Sequence, residues 1–284
     1  MNLVLGYGVF LQPRLDQAKA ALSPEEEKRI LRELAKQGIQ VRDPIPSKAD
    51  AMSFILLAPM EVDAESMAER FFKDREYSTQ GTPMLKNKSK MYRSGNEELS
   101  ISPSGMVSYY RLPQGRAEAL VYPDLDEDKA RQAAKDFLEN RLGLPESAVL
   151  DTVAYDSFNE TYLVDYYRLF SQLPVFSSYL RVLITRRGVE AVWQNWLTPL
   201  GLKGPKRPII PAAEALLRLQ SVAKTRPERE EKPMVVEDVR LGYCSQIYDA
   251  ERWDAPPFWR LRVSGETFYV NAFTGQLSGQ IENC

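Results

Sequence analysis

The chain has 284 residues, of which 44% are hydrophobic and 27% charged, with a formal net charge of -2. This suits one large soluble domain or two of ordinary size with real cores, and it gives no global attraction to nucleic acid or an anionic membrane. Histidine is absent, which excludes Ser-His-Asp and Cys-His nucleophile systems and removes the commonest metal ligand.

The run Asn2 to Leu11 is apolar but too short to span a bilayer, which needs about 20 residues. It lacks the cationic flank and cleavage site of a signal peptide. It reads either as the outer end of a membrane helix whose first half is missing from this chain, or as an edge strand or buried N-terminal segment. Ser23-Pro24-Glu25-Glu26 then opens a helix: serine is a good N-cap, proline suits the first helical position, and the acids face the positive end of the macrodipole. Ile30, Leu31 and Leu34 form its apolar stripe and Gly38 stops it. Met52 to Pro59 is a strand-type run. Asp63 caps a second helix bearing Met67, Ala68, Phe71 and Phe72.

Residues Arg75 to Leu112 read as a β-meander, with turns at Gly81-Thr-Pro83, Ser94-Gly-Asn96 and Pro103-Ser-Gly105. Lys86, Lys88 and Lys90 alternate, so they share one strand face next to Tyr92. Such a face is a solvated edge protected against aggregation, or, more sharply, a contact for anionic wall polymer or lipid headgroups. An amphipathic helix follows from about Glu127 to Leu142, with Ala130, Ala133, Ala134, Phe137 and Leu138 inside and Gly143 at its end. Asp124-Leu-Asp-Glu-Asp128 begins like a calcium loop, but Lys129 and Lys135 occupy the places of the required Gly and Glu. The acids are read as an N-cap and its first turn.

Four β-type runs come next: Ala148 to Phe158, Thr161 to Phe170, Val175 to Thr185 and Val189 to Trp196. Short connections make neighbours antiparallel. Asp151, Asp156, Glu160 and Asp165 are close in sequence; strand alternation makes them solvent-facing hairpin residues rather than an acid–base pair. Leu200 to Pro211, with its glycines and prolines, is expected to be a loop of polyproline character. Ala212 to Gln220 is a third helix with Leu216, Leu217 and Leu219 buried, and the charged run Lys224 to Pro233 is an exposed connection. Val235 to Tyr248 leads to the clearest local signal of all: Phe258 to Leu277, a hairpin closed at Ser264-Gly-Glu266 and ended by the turn Asn271 to Gly275. A helix followed by an antiparallel meander thus occurs twice in the C-terminal half, an internal repeat of architecture. Cys244, in a strand-like run, reads as a buried thiol and Cys284 as a fraying terminus; a bridge between them is the less favoured alternative, because two cysteines without a spacing pattern are a weak signal.

Aromatic residues crowd the C-terminal half, from Tyr166 to Trp259. Most read as strand positions filling a core. Trp253, in Trp253-Asp-Ala-Pro-Pro257, reads as part of an exposed loop. With Phe258, Trp259, Tyr92, Lys88 and Lys90 it makes up the candidate partner surface. No catalytic residue, cofactor or metal site is expected.

Four elements in order carry a family resemblance: Asn2-Leu-Val-Leu-Gly-Tyr7; Leu173-Pro-Val-Phe-Ser-Ser-Tyr-Leu-Arg-Val182 leading through Gly188 to Trp196; Pro211-Ala-Ala-Glu-Ala-Leu-Leu217; and the hairpin set Tyr243 to Gly275. They resemble the YycI family, and more distantly YycH, regulators of the YycG–YycF (WalK–WalR) two-component system of Gram-positive bacteria. The match is best from about Lys129 to Gly275 and weak between Arg42 and Ala119. The resemblance implies an α+β fold of antiparallel sheets with a few packed helices, divided into a membrane-helix remnant (1–12), an N-terminal α+β domain (13–120) and a C-terminal domain (121–284). It implies a non-enzymatic, single-pass membrane protein whose folded part is extracytoplasmic. The implied partners are the sensor histidine kinase and the sister regulator YycH, with no nucleic acid. The alternative reading is a binding module for wall peptide or glycan using the Tyr/Trp-rich sheets.

Overall fold

The computed structural model describes residues 23–42, 44–47, 49–81, 89–112, 119–225, 233–246 and 250–278. The expected α+β architecture is present. Helix α1 (Pro24–Lys36) is fixed by a reciprocal capping box between Ser23 and Glu26 and buries Ile30 and Leu34. It leads through Gly38, at φ 74°, into β1 (Ile39–Val41), and then come β2 (Met52–Pro59) and α2 (Ala64–Phe72). The meander β3 (Ser78–Gly81), β4 (Lys90–Ser94), β5 (Glu97–Ile101) and β6 (Val107–Arg111) follows. After α3 (Glu127–Phe137) and a π-helical turn (Leu138–Leu142) come β7 (Ala148–Asp156), β8 (Thr161–Phe170), β9 (Leu173–Thr185) and β10 (Gly188–Asn195). The chain closes with β11 (Leu197–Arg207), α4 (Ala212–Leu217), α5 (Leu219–Thr225), β12 (Met234–Tyr243), β13 (Trp253–Ala255), β14 (Pro257–Val263) and β15 (Glu266–Asn271).

One large sheet runs β15-β14-β12-β9-β10-β6-β5-β4-β3, with β7-β8 branching from β9 and β1 lying parallel to β12; β11-β2-β13 form a small second sheet. Two cores sit against these sheets. One joins α1, β2, α4, β12, β14 and β15 through Leu34, Ile55, Leu216, Trp259, Leu261 and Val270. The other joins α2, α3, β4 to β6 and β8 to β10 through Phe71, Tyr109, Ala134, Leu138, Leu180 and Val192. The chain is therefore nested. Its two ends, residues 24–59 and 197–278, build a terminal lobe around an inserted lobe of residues 60–196. The division expected at residue 120 does not coincide with a break in strand pairing, because β6 pairs with β10 and β1 with β12.

The lobes meet along β9. Its pairing with β8 jumps from Tyr167↔Tyr179 to Arg168↔Val175, leaving Phe176, Ser177 and Ser178 looped out of register. On one side of this bulge β9 pairs with β10, and on the other it touches β12 at Tyr243↔Val175. The bulge is pinned by Asn195 Nδ2 donating to the Ser177 carbonyl at 2.7 Å and by the Leu197 N–H donating to Ser178 Oγ at 3.0 Å. Gly242 permits the crossing: a Cβ there would stand 2.5 Å from the Pro174 carbonyl oxygen and 2.7 Å from the Phe176 ring.

Two expectations about elements are corrected here. Residues 200–207 belong to β11 rather than to a polyproline loop. The strand pairs with β2 through register shifts at Pro199/Gly201 and Lys203/Arg207, so its glycines and prolines sit at bulges on an outer strand, where a missing N–H costs no ladder bond. The helix expected over 212–220 is two short helices, and Leu217 is only half-buried.

Candidate functional site

The residues that the sequence nominates as a partner surface are mostly interior. Trp253 lies in β13, buried, with its indole N–H donating to Ser245 Oγ at 2.8 Å. Trp259 is completely buried and donates to the Ile210 carbonyl at 2.9 Å. Phe258 packs with Phe176, Cys244 and Tyr269, and Tyr92 packs in the inserted-lobe core beside Tyr77. Each indole N–H finds an internal acceptor, so burial satisfies the ring's polar handle as well as its apolar area. These four residues are thus unavailable to a partner. Lys90 is exposed and pairs with Glu65 at 2.5 Å, while Lys86 and Lys88 lie outside the described residues.

The most strongly coupled charges sit where the lobes join. Strand alternation puts Asp238 and Arg240 of β12 on the same face as Arg260 of β14, away from the helices, with Arg240 opposite Arg260. The β7–β8 hairpin lies over this face and adds Asp151. Arg260 donates through both terminal nitrogens to Asp151, at 2.5 and 2.8 Å, and also reaches Asp238 at 3.1 Å. Arg240 bonds Asp151 at 3.4 Å, Asp238 at 3.3 Å and the Tyr167 hydroxyl at 3.0 Å. Arg260 is 6% exposed and stands 4.6 Å from the Phe176 ring centroid. Burial works against its charge, but the bonds it donates to Asp151 outweigh that and hold the guanidinium above its ordinary value. Two carboxylates balance two guanidiniums, so this ionic clasp is a structural tie between lobes rather than a proton donor or acceptor.

Asp165 lies beside the clasp, bonded to Arg181 Nε at 2.7 Å. Burial pushes its carboxyl above the ordinary 3.8, and Arg181 offsets this only in part. The folded state then holds the proton more tightly than the unfolded chain. Asp165's contribution to stability must therefore fall as pH rises from 3.8 through the raised folded value. Asp165→Asn cannot titrate, so the wild-type advantage over Asp165→Asn in urea unfolding should shrink as the pH is raised from 3.8 through the raised folded value. A constant difference would contradict the raised value.

A cleft of about 290 Å³ borders the clasp; Arg240 is the only charged residue in its lining, among Tyr167, Leu173, Pro174, Leu241 and Trp259. A second, of about 430 Å³, holds Glu61, Asp63 and Arg70. The Asp63 carboxylate is committed to capping α2, and the backbone N–H of Ser66 holds it below its usual range. Asp126 caps α3 through the Lys129 N–H at 2.8 Å, the role expected for the acidic run. Among the described residues no group of three or more His, Cys, Asp or Glu is placed to hold a metal. Cys244 is buried but disulfide-bonded, not the free thiol expected; the other cysteine of the sequence, Cys284, lies outside the described residues.

What the sequence reading misses is the tip of the β7–β8 hairpin. Phe158 is 92% exposed. The Asp156 carboxylate accepts from the N–H groups of Phe158 and Asn159, at 2.9 and 3.3 Å, and from Asn159 Nδ2 at 2.6 Å, which fixes the turn. Tyr155, also exposed, packs against Tyr162 in a tilted pair with centroids 4.8 Å apart. An aromatic residue inside Asp-Ser-Phe-Asn, a polar turn, is the signal that could have found it.

Buried aromatics, a neutral ionic tie and an exposed aromatic hairpin tip are the features that mark this α+β protein among its described residues. The chain belongs to the YycI family, described as YycI protein, matching it over residues 17–273. That family is a regulatory one tied to the YycG (WalK) two-component system. No curated protein matches the chain. Among solved structures, an uncharacterized protein from Eubacterium rectale ATCC 33656 superposes over 90% of this chain and 99% of its own, with a TM-score of 0.46 and 10% identity. No helix among the described residues is long and apolar enough to cross a membrane.

Proposed function

We propose that this protein is an extracytoplasmic regulator that binds the membrane sensor histidine kinase of the YycG type and modulates its activity, and through it the expression of cell-wall genes. The observation that carries this reading is the family match over residues 17–273. The disulfide at Cys244 supports an oxidising location, because such bonds persist outside the cytoplasm and are rare within it. The energy of contact comes from apolar and aromatic burial at a modest interface rather than from bond chemistry. The sister regulator YycH is a second partner in this reading, and the protein is held at the membrane where the kinase sits. Deleting the gene should change transcription of the wall-hydrolase genes controlled by the system, and restoring it should reverse the change. Transcription that stays unaltered in both directions would refute the regulatory role.

A further inference from the structure

We propose that the end of the inserted lobe bearing Phe158 is a docking surface for a protein partner offering an apolar pocket rimmed by lysine or arginine. The partner's identity, though not the surface, rests on the functional reading above.

Eight large apolar side chains are exposed among the described residues, and six of them are Tyr110, Leu112, Leu120, Val121, Tyr155 and Phe158. The fold gathers these six around one turn, Arg186–Arg187, between β9 and β10. Val121 and Tyr122 donate their N–H groups to the Arg186 carbonyl at 3.0 and 2.8 Å. Glu160, at the hairpin tip, pairs with Arg186 at 3.8 Å. Arg111, between Tyr110 and Leu112, donates to the Arg187 carbonyl at 2.7 Å. Sheet ends are ordinarily finished with polar turn residues, and a concentration of apolar groups at one end of a monomer marks an interaction site.

Charge selects the occupant. Around the hairpin and the start of α3, the six carboxylates of Asp124, Asp126, Glu127, Asp128, Asp156 and Glu160 face three cations, a net charge of -3. All three cations are already engaged: Lys129 with Asp126 at 3.1 Å, Arg131 with Glu127 at 2.9 Å, and Arg186 with Glu160. Across the turn, Arg111 and Arg187 flank Glu190 and return one positive charge, leaving the end acidic. An acidic rim is repelled by anionic lipid headgroups and attracts a cationic protein rim. Phe158 has the form of an anchor, a whole aromatic ring on a turn already fixed by Asp156, so little ordering remains to be done on binding.

The test places the photoreactive residue p-benzoylphenylalanine at position 158, 121 or, as a control, 202, where Leu202 is exposed on β11. The protein is irradiated in the cell that makes it. Positions 158 and 121 should give adducts with one and the same protein, and position 202 should not. Binding of that purified partner should weaken roughly tenfold in Phe158→Ser and weaken further with added salt. Phe158→Ser should leave the melting temperature unchanged, because the ring is exposed. Adducts with lipid only, no adduct, equal labelling at position 202, or an affinity within about twofold of wild type in Phe158→Ser would each overturn the proposal. If the captured partner is neither the sensor kinase nor its sister regulator, the surface stands and the proposed partners fall. Kinase binding that survives Phe158→Ser does the reverse.

Discussion

Asp151→Ala should destabilise the protein by about 3–5 kcal/mol, the cost of leaving a buried charge without its partner. Asp151 accepts both arms of Arg260 and one from Arg240, and its own side chain is 11% exposed. Removing it strands a guanidinium that is sandwiched against Phe176 and left with one acid, Asp238, to share with Arg240. Because Asp151 belongs to the inserted lobe and its partners to the terminal lobe, the loss falls on the junction. Urea unfolding should show the lowered midpoint, and amide exchange should rise first in β7, β12 and β14. The attraction within the cluster is largely spent on desolvation, so replacing Asp151, Asp238, Arg240 and Arg260 together by apolar residues of similar size should recover much of the loss. A penalty below about 1 kcal/mol for Asp151→Ala would mean that the clasp is solvated and carries no load.

Trp259→Ala should cost a similar amount, about 3–5 kcal/mol. The ring is fully buried at the centre of the terminal-lobe core, and its N–H is bonded to the Ile210 carbonyl. The substitution leaves a cavity between β14 and α4 and an acceptor without its donor. If Trp259 were instead part of a partner surface, its removal would weaken binding and spare stability. Measuring both quantities on one variant separates the two roles. A variant with wild-type unfolding and lost binding would restore Trp259 to the surface.

The elements that proved legible in the sequence are those fixed by local chemistry. Ser23, Asp63 and Asp126 each cap the helix they were expected to cap. The hairpin β14–β15 turns at Ser264-Gly265, where both residues have positive φ, 50° and 83°. The repeated helix-then-meander is real, with α3 leading into β7 to β10 and α4–α5 into β12, β14 and β15. What was not legible depends on distant pairing. Nothing local announces that β1 will lie beside β12, some two hundred residues later, or that β6 will pair with β10. The nested lobes follow from those two pairings. β11 was obscured by its own glycines and prolines, which normally argue against a strand and here mark its bulges.

The site was the least legible part, for a physical reason. Tryptophan and tyrosine serve cores and interfaces through the same property, a large apolar body with one polar atom. Trp253 and Trp259 therefore look alike whether buried or presented, and only the acceptors at Ser245 and Ile210 decide. Phe158 differs because a turn locked by its own aspartate cannot fold the ring back onto the sheet.

Contact with a sensor kinase is the action proposed for this chain. The direct measurement is autophosphorylation of the YycG-type kinase in lipid nanodiscs, with and without this protein co-reconstituted. The rate should change, saturate with added protein and lose this response in Phe158→Ser. A rate unchanged at every ratio, with both proteins folded in the same disc, would contradict it.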